Sequence, residues 1–225
     1  MLLDQYANEA NPRSHYRTTG PEIWRQTAGQ VTHFVAGLGT CGTITGTGRY
    51  LKERRKEIQV LGVHPEEGHD IPGVRSLRQL KQTKLFFPQE YDGTVEVTTR
   101  ESYELCLRLN REESVLAGPS SGMALAGALK LVPDQPGLLA VVIFPDNVFK
   151  YASSFQRHFP HICPVDAREE AAGQSKNEIL LAQMLENLKN AFDSIRPAES
   201  SQQLQGAARP LLVDVRPQEL FAENH

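Results

Sequence analysis

Short apolar runs alternate with segments of helical apolar spacing over the first two thirds of the chain. The apolar runs predict buried strands at residues 32–36, 58–63, 94–98 and 138–144. The segments between them predict helices at residues 22–28, 43–55, 100–111 and 123–131. Strands that alternate with helices over short connections are typical of α/β folds. We therefore predict an open, mostly parallel twisted sheet with flanking helices.

The pattern changes after residue 160. We expect a large α/β domain over residues 1–160 and a linker over 161–210, with a helix at about 177–195. A new apolar run begins at Leu211, directly after a polar stretch rich in small residues. Residues 211–225 therefore predict the beginning of a second, truncated α/β domain.

Composition narrows the class of protein. Of the 225 residues, 40% are hydrophobic and 23% are charged, which is typical of a soluble globular protein. A net charge of −3 and the absence of a long apolar run predict no nucleic-acid partner and no membrane span. The three cysteines, Cys41, Cys106 and Cys163, are widely spaced and odd in number, which favours a reducing cytoplasm. None has a neighbouring Cys or His at metal-ligand spacing, so we expect no metal site.

A glycine-rich stretch between a predicted strand and a predicted helix indicates an anion site. Gly37, Gly39 and Gly42 match the G-x-G-x-x-G pattern of dinucleotide-binding turns, but the nearest acidic residues, Glu66 and Glu67, lie slightly too far along the chain. Several nearby threonines supply hydroxyl groups that suit a single phosphate monoester: Thr40, Thr43, Thr45 and Thr47. From these residues alone, a dinucleotide, a phosphate monoester and a turn without ligand all remain open.

The same stretch resembles a known phosphate cup. "GTCGT" at residues 39–43 is similar to the G-T-G-G-T motif of the fold-type II pyridoxal phosphate enzymes, specifically the cysteine synthases. Residues 4–31, with "TTGPEIW", and 116–129, "LAGPSSGMALAGAL", match further segments of that family in the same order. "GVHPEEGHDIPGVRSL" at residues 62–77 is similar to the B-type enzymes. The resemblance covers about residues 1–160.

The resemblance implies a set of cofactor contacts and a cofactor, pyridoxal 5′-phosphate. Ser120 would meet the pyridine nitrogen, where a neutral hydroxyl favours β-elimination and β-replacement; without the resemblance, Ser120 reads as a helix N-cap. The residues that would hold the phosphate are Gly39, Thr40, Cys41, Gly42 and Thr43.

Two further residues are implied on the substrate side. Gln5 resembles the residue that helps to bind the substrate α-carboxylate, although its position alone would make it a surface residue. Arg75 aligns with the place where some B-type enzymes meet a charged leaving group such as phosphate, and an exposed loop arginine is the alternative.

The implied activity is that of a transferase: replacement of the leaving group of O-acetyl- or O-phosphoserine by sulfide, giving L-cysteine. The implied partners are a small amino-acid substrate, a sulfur donor and a second copy of the enzyme in a homodimer. A cystathionine β-synthase or a serine/threonine dehydratase shares the cup, although "GPEIW" and "IPGVR" favour a cysteine synthase. A non-catalytic pseudoenzyme and a dinucleotide-binding domain stay open as alternatives.

The sequence departs from the family in two ways. Cys41 stands where the family usually has glycine, so the backbone there must suit a residue with Cβ, and an exposed thiol would be sensitive to oxidation. The family's Schiff-base lysine lies in an N-x-x-x-S-x-K motif, and a Thr-Ser-Gly-Asn loop binds the substrate carboxylate; neither motif occurs in these 225 residues. We therefore expect a fragment with no catalytic residue of its own, inactive alone.

The last fifteen residues carry a second resemblance. "LLVDVRPQELFAENH" at 211–225 resembles the L-L-D-V-R-x-x-x-E-F-x-x-G-H opening of a rhodanese-like domain. Rhodaneses carry sulfane sulfur and cysteine synthases consume reduced sulfur, so a fusion of the two would be chemically coherent.

Overall fold

The computed structural model describes residues 4–159. The predicted linker with its helix and the predicted rhodanese-like segment lie outside the described residues. Within residues 4–159, the helices and strands in chain order are α1 (Ala10–Arg17), α2 (Thr19–Gln26), β1 (His33–Gly37), α3 (Gly42–Arg54), β2 (Gln59–Pro65), α4 (Leu77–Leu80), β3 (Gly93–Val97), α5 (Thr99–Glu112), α6 (Pro119–Leu131), β4 (Ala140–Val142) and α7 (Ala152–His158). Short 3₁₀ helices occupy Pro88–Glu90 and Val148–Tyr151.

The four described strands form one parallel sheet in the order β3-β2-β1-β4. In the register of the sheet, Val35 of β1 lies opposite Leu61 of β2 and Val142 of β4. The predicted parallel α/β sheet with flanking helices is confirmed. No helix among the described residues has the length and apolar character needed to cross a bilayer.

Side chains of the strands point alternately to the two faces of the sheet, and each face has its own core. Val35 packs with Tyr103 of α5 and Met123 of α6 on one face. Phe34, the residue before it, packs with Ile23 of α2 and with α3 residues on the other. The sheet is therefore covered by helices on both faces, as parallel sheets require.

Several elements differ from the sequence prediction. Helices α4 and α7 were not predicted, and α2 begins at Thr19 rather than at residue 22. The strand predicted at 138–144 is only three residues long, since its pairing with β1 is confined to Ala140–Val142. Helix α6 begins at Pro119 rather than Met123, since proline suits the first helical position. Helix α1 was not predicted: Pro12 is its single buried residue, so it shows no apolar stripe.

Candidate functional site

Two helix N-termini meet at the carboxyl end of β1. The chain leaves β1 through the loop that enters α3, and the neighbouring strands β2 and β4 lie on opposite sides of β1. Such a reversal of strand order opens a crevice where ligands bind in open α/β sheets. Helix α6 reaches the same crevice, because a Cβ on Gly37 would lie 4.0 Å from the Ser120 carbonyl oxygen.

The loop before α3 has the geometry of an anion receptor. Within residues 4–159, the N–H groups of Gly39, Thr40 and Cys41 donate to no protein acceptor. Cys41 is left-handed, with φ 68° and ψ 2°, and caps the 13-residue helix α3. Successive unpaired N–H groups ending in a left-handed residue form a nest, and the helix dipole adds favourable potential for an anion.

Two glycines of the loop are required by close approach of other segments. A Cβ on Gly39 would lie 2.5 Å from the carbonyl oxygen of Gly73, and a Cβ on Gly42 would lie 1.9 Å from Asn11 Oδ1. Neither space accepts a methyl group. The loop at Gly73 and the start of α1 are thereby held directly against the nest.

Two threonine hydroxyls of the loop have partners on the N-terminal segment. Thr40 Oγ1 accepts from Asn11 Nδ2 at 3.0 Å. Thr43 Oγ1 lies 3.2 Å from Nε2 of His15, whose Nδ1 lies 2.9 Å from Thr19 Oγ1. Burial lowers the pKa of His15, so a neutral imidazole links the hydroxyls of Thr43 and Thr19 at neutral pH.

Two sequence expectations concern Cys41: the conformation of its backbone and the exposure of its thiol. Its backbone lies in the left-handed region, which a residue with Cβ adopts at a cost of about 1–2 kcal/mol. Glycine is the residue that this conformation favours. The thiol is only 3% exposed, and burial raises its pKa to about 12. The exposure that would make the thiol sensitive to oxidation is therefore not present.

The N-terminus of α6 brings together polar groups that lack partners. Ser120 lies in the first helical turn and is 7% exposed; the N-cap is Gly118, so the N-cap interpretation of Ser120 is wrong. In the described part of the chain, Ser121 Oγ and Asp146 Oδ1 are buried without a hydrogen-bond partner. Tyr151 donates its hydroxyl to the other oxygen of Asp146. Unpaired buried polar groups of this kind suit a ligand with its own hydrogen-bonding atoms.

The two predicted substrate-side residues lie at the edge of the nest. The Gln5 side chain is exposed, and its carbonyl oxygen accepts from Asn11 Nδ2 at 2.8 Å. The Arg75 N–H donates to the Leu38 carbonyl at 2.9 Å, and its guanidinium lies 4.8 Å from the ring centre of Tyr6. The structure therefore brings both residues toward the predicted phosphate loop.

Sequence reasoning missed several polar residues at this site: Asn11, His15, Asp146 and Tyr151. Asn11 and His15 lie on the helix that was not predicted. The close approach of Asn11 to Gly42 appears only in the folded structure, and the sequence contains no indication of it. No group of three or more His, Cys, Asp or Glu side chains that could hold a metal occurs within residues 4–159.

The nest, the threonine hydroxyls and the polar end of α6 fit a ligand with a phosphate monoester and a polar aromatic ring. The chain belongs to the family described as "Pyridoxal-phosphate dependent enzyme", whose sequence profile matches residues 1–146. Among its relatives, cysteine synthase B of Pseudomonas aeruginosa is 43% identical over 153 residues, which are 68% of this chain and 51% of the relative. Cysteine synthase A of Escherichia coli is 38% identical over 173 residues, covering 68% and 53% of the two chains.

Solved structures support the same family. The crystal structure of cysteine synthase from Entamoeba histolytica superposes with a TM-score of 0.65 at 25% sequence identity. That match covers 82% of this chain and 54% of the other. The chain thus spans about half the length of the curated relatives that it matches.

Proposed function

We propose that this chain supplies the phosphate-binding and ring-binding part of a cysteine synthase that uses pyridoxal 5′-phosphate. The observation that carries the proposal is the unpaired nest of Gly39, Thr40 and Cys41 beside the polar N-terminus of α6, at the end of the same strand. The identity to cysteine synthases, greater for the B relative than for the A relative, supports a B-like enzyme.

In this proposal each polar group has a separate task. The unpaired N–H groups of Gly39, Thr40 and Cys41, with the hydroxyls of Thr40 and Thr43, neutralise and orient the phosphate. Gly42 completes the cup of residues 39–43 by leaving room for Asn11 beside the loop. Ser120 meets the ring nitrogen with a neutral hydroxyl. When bound, the cofactor withdraws electrons from the substrate α-carbon, which makes loss of a β-substituent and its replacement feasible.

Gln5 and Arg75 are proposed as substrate contacts. Gln5 would bind the α-carboxylate of an activated serine, O-acetyl- or O-phosphoserine. The Arg75 N–H donates to Leu38 and its guanidinium lies over the ring of Tyr6, so Arg75 would supply the positive charge that a charged leaving group needs. Sulfide or another sulfur donor would then form the new C–S bond.

The setting of the enzyme is proposed on separate grounds. The two described cysteines are both buried free thiols, which agrees with a cytoplasmic location. Homodimerisation follows from analogy with the family. The lysine motif of the family does not occur in the 225 residues, so we propose that this chain alone has no synthase turnover.

A binding titration tests the proposal. Pyridoxine 5′-phosphate and pyridoxine differ only in the phosphate, and neither carries the aldehyde that would react with surface lysines. We expect the full chain to prefer the phosphorylated compound, and to bind it more tightly than NAD. Equal affinity for the two pyridoxines, or tighter binding of NAD, would contradict the proposal.

A pair of variants localises the binding. Gly42→Ala places a Cβ 1.9 Å from Asn11 Oδ1 and should abolish the preference for phosphate. Gly48→Ala lies on the same helix, and the three atoms nearest to its Cβ are Val60 side-chain carbons at 3.0 Å or more, so it should retain the preference. Cysteine formation from O-acetylserine and sulfide by the purified chain would refute the proposed inactivity alone.

A further inference from the structure

The side chain of Asn11 joins two loops of the site through one amide nitrogen. Nδ2 donates to the Gln5 carbonyl at 2.8 Å and to Thr40 Oγ1 at 3.0 Å. A backbone carbonyl can only accept, so the atom that faces Gln5 must be the nitrogen, and the orientation of the amide is fixed. Both hydrogens of Nδ2 are then used.

This arrangement decides which way the hydroxyl of Thr40 points its proton. Thr40 Oγ1 accepts from Asn11 Nδ2, and it also accepts from the Gly42 N–H at 3.3 Å. A hydroxyl oxygen has two lone pairs, and both are occupied. Within the described residues, the proton of this hydroxyl has no protein acceptor. It is therefore available to an anion in the nest.

The position of Asn11 is also fixed on its other side. Its Oδ1 lies so close to Gly42 that a Cβ there would be 1.9 Å away. The side chain is half-buried and held between Gln5, Thr40 and Gly42. A residue held in this way keeps the hydroxyl of Thr40 oriented before any ligand arrives.

We infer that Asn11 is a positioning residue, which makes Thr40 an obligate hydrogen-bond donor to the phosphate and so gives the cup its preference for phosphorylated ligands. The inference rests on the proposed function, because it assumes that the nest holds a phosphate. It adds that a residue outside the glycine loop sets the selectivity of the loop.

Asn11→Asp is the decisive substitution, because aspartate has the same shape but its carboxylate only accepts hydrogen bonds. The Thr40 proton would turn toward the new carboxylate, and a negative charge would lie beside the phosphate. A charge-assisted hydrogen bond lost in this way corresponds to about a 10- to 100-fold loss of affinity for pyridoxine 5′-phosphate. Binding of pyridoxine should stay unchanged.

Asn8→Asp is the matched control, because it adds the same charge three residues earlier. Asn8 Oδ1 accepts from the Ala10 N–H at 2.9 Å, an interaction that aspartate retains. Circular dichroism of each unliganded full chain shows whether it is folded. Thr40→Val, which keeps the shape of threonine without its hydroxyl, provides a second test should Asn11→Asp fail to fold. Asn11→Asp in a Thr40→Val background should have a smaller effect than in the wild type.

The outcomes separate the two proposals. If the wild-type chain shows no preference for pyridoxine 5′-phosphate, the proposed function fails. If the wild type shows the preference and Asn11→Asp behaves as Asn8→Asp does, the role of Asn11 is overturned and the proposed function stands. A Thr40→Val chain that keeps the full preference overturns the role of Asn11 equally.

Discussion

Gly46 allows α1 to lie directly on α3, and replacing it by alanine should separate the two helices. A Cβ on Gly46 would lie 2.0 Å from the carbonyl oxygen of Pro12 and 2.9 Å from the backbone nitrogen of Tyr16. An ordinary van der Waals contact begins near 3.4 Å, so α1 would have to withdraw by about 1.4 Å. Both obstructing atoms belong to backbone, which cannot rotate away as a side chain can.

The cost can be estimated from two opposing effects. Overpacking typically costs about 1–3 kcal/mol, and overlap with backbone places Gly46→Ala near 3 kcal/mol. Alanine gains about 1 kcal/mol over glycine in a helix interior. The expected net loss is about 2 kcal/mol, which corresponds to a fall in Tm of about 4–8 °C for a chain of this size.

Urea or thermal unfolding of the full chain, followed by circular dichroism, measures this loss. Gly48→Ala has the same helix-propensity gain, and the three atoms nearest to its Cβ are side-chain carbons of Val60 rather than backbone, so it should lie within about 1 kcal/mol of the wild type. Equal stabilities of the two alanine variants would refute the argument from close approach. Withdrawal of α1 also moves Asn11, so Gly46→Ala should bind pyridoxine 5′-phosphate more weakly.

Two further predictions concern titrating side chains. Burial raises the pKa of the Cys41 thiol from 9.0 to about 12, which lowers its thiolate fraction at pH 8 by about 1,000-fold. In a Cys163→Ser chain, iodoacetamide should therefore label Cys41 at least about 100-fold more slowly when folded than in urea; equal rates would contradict the burial. Burial also lowers the pKa of His15, so the unfolded chain takes up the proton first as the pH falls. The stability due to neutral His15 is complete above its unfolded pKa of 6.5 and is lost as the pH falls below it, by at most about 1.4 kcal/mol per pH unit. His15→Gln should make the difference in unfolding free energy between pH 7.5 and 5.5 smaller, and an unchanged difference would disprove this role.

The sheet could be predicted because buried parallel strands leave a strong pattern. Each predicted strand has a counterpart in the structure, and the helices α3 and α5 begin and end within one or two residues of their predictions. The strand at 138–144 was predicted too long, because its apolar residues continue beyond the three that pair with β1. The apolar pattern predicts which residues are buried. The length of a strand also depends on how many of its residues pair with a neighbouring strand.

The sequence predicted the local part of the site but not the contacts that join distant segments of the chain. The glycine loop at 39–43 is local, so its composition is enough to indicate an anion site. The contacts of Asn11 with Thr40 and of His15 with Thr43 join residues 29 and 28 positions apart. Such contacts depend on how α1 lies across α3. The rhodanese-like segment at 211–225 remains a prediction from sequence.

Under the proposed function, the left-handed Cys41 and the unpaired N–H groups before it give the folded chain a phosphate site that the unfolded chain lacks. A ligand that binds only the folded state adds RT ln(1 + [L]/Kd) to its stability, about 2.7 kcal/mol at 100 times Kd. This gain exceeds the about 1–2 kcal/mol that the left-handed backbone costs. Phosphate in the buffer would therefore act as a stabilising cosolute for this chain, and variants should be compared at one fixed anion concentration.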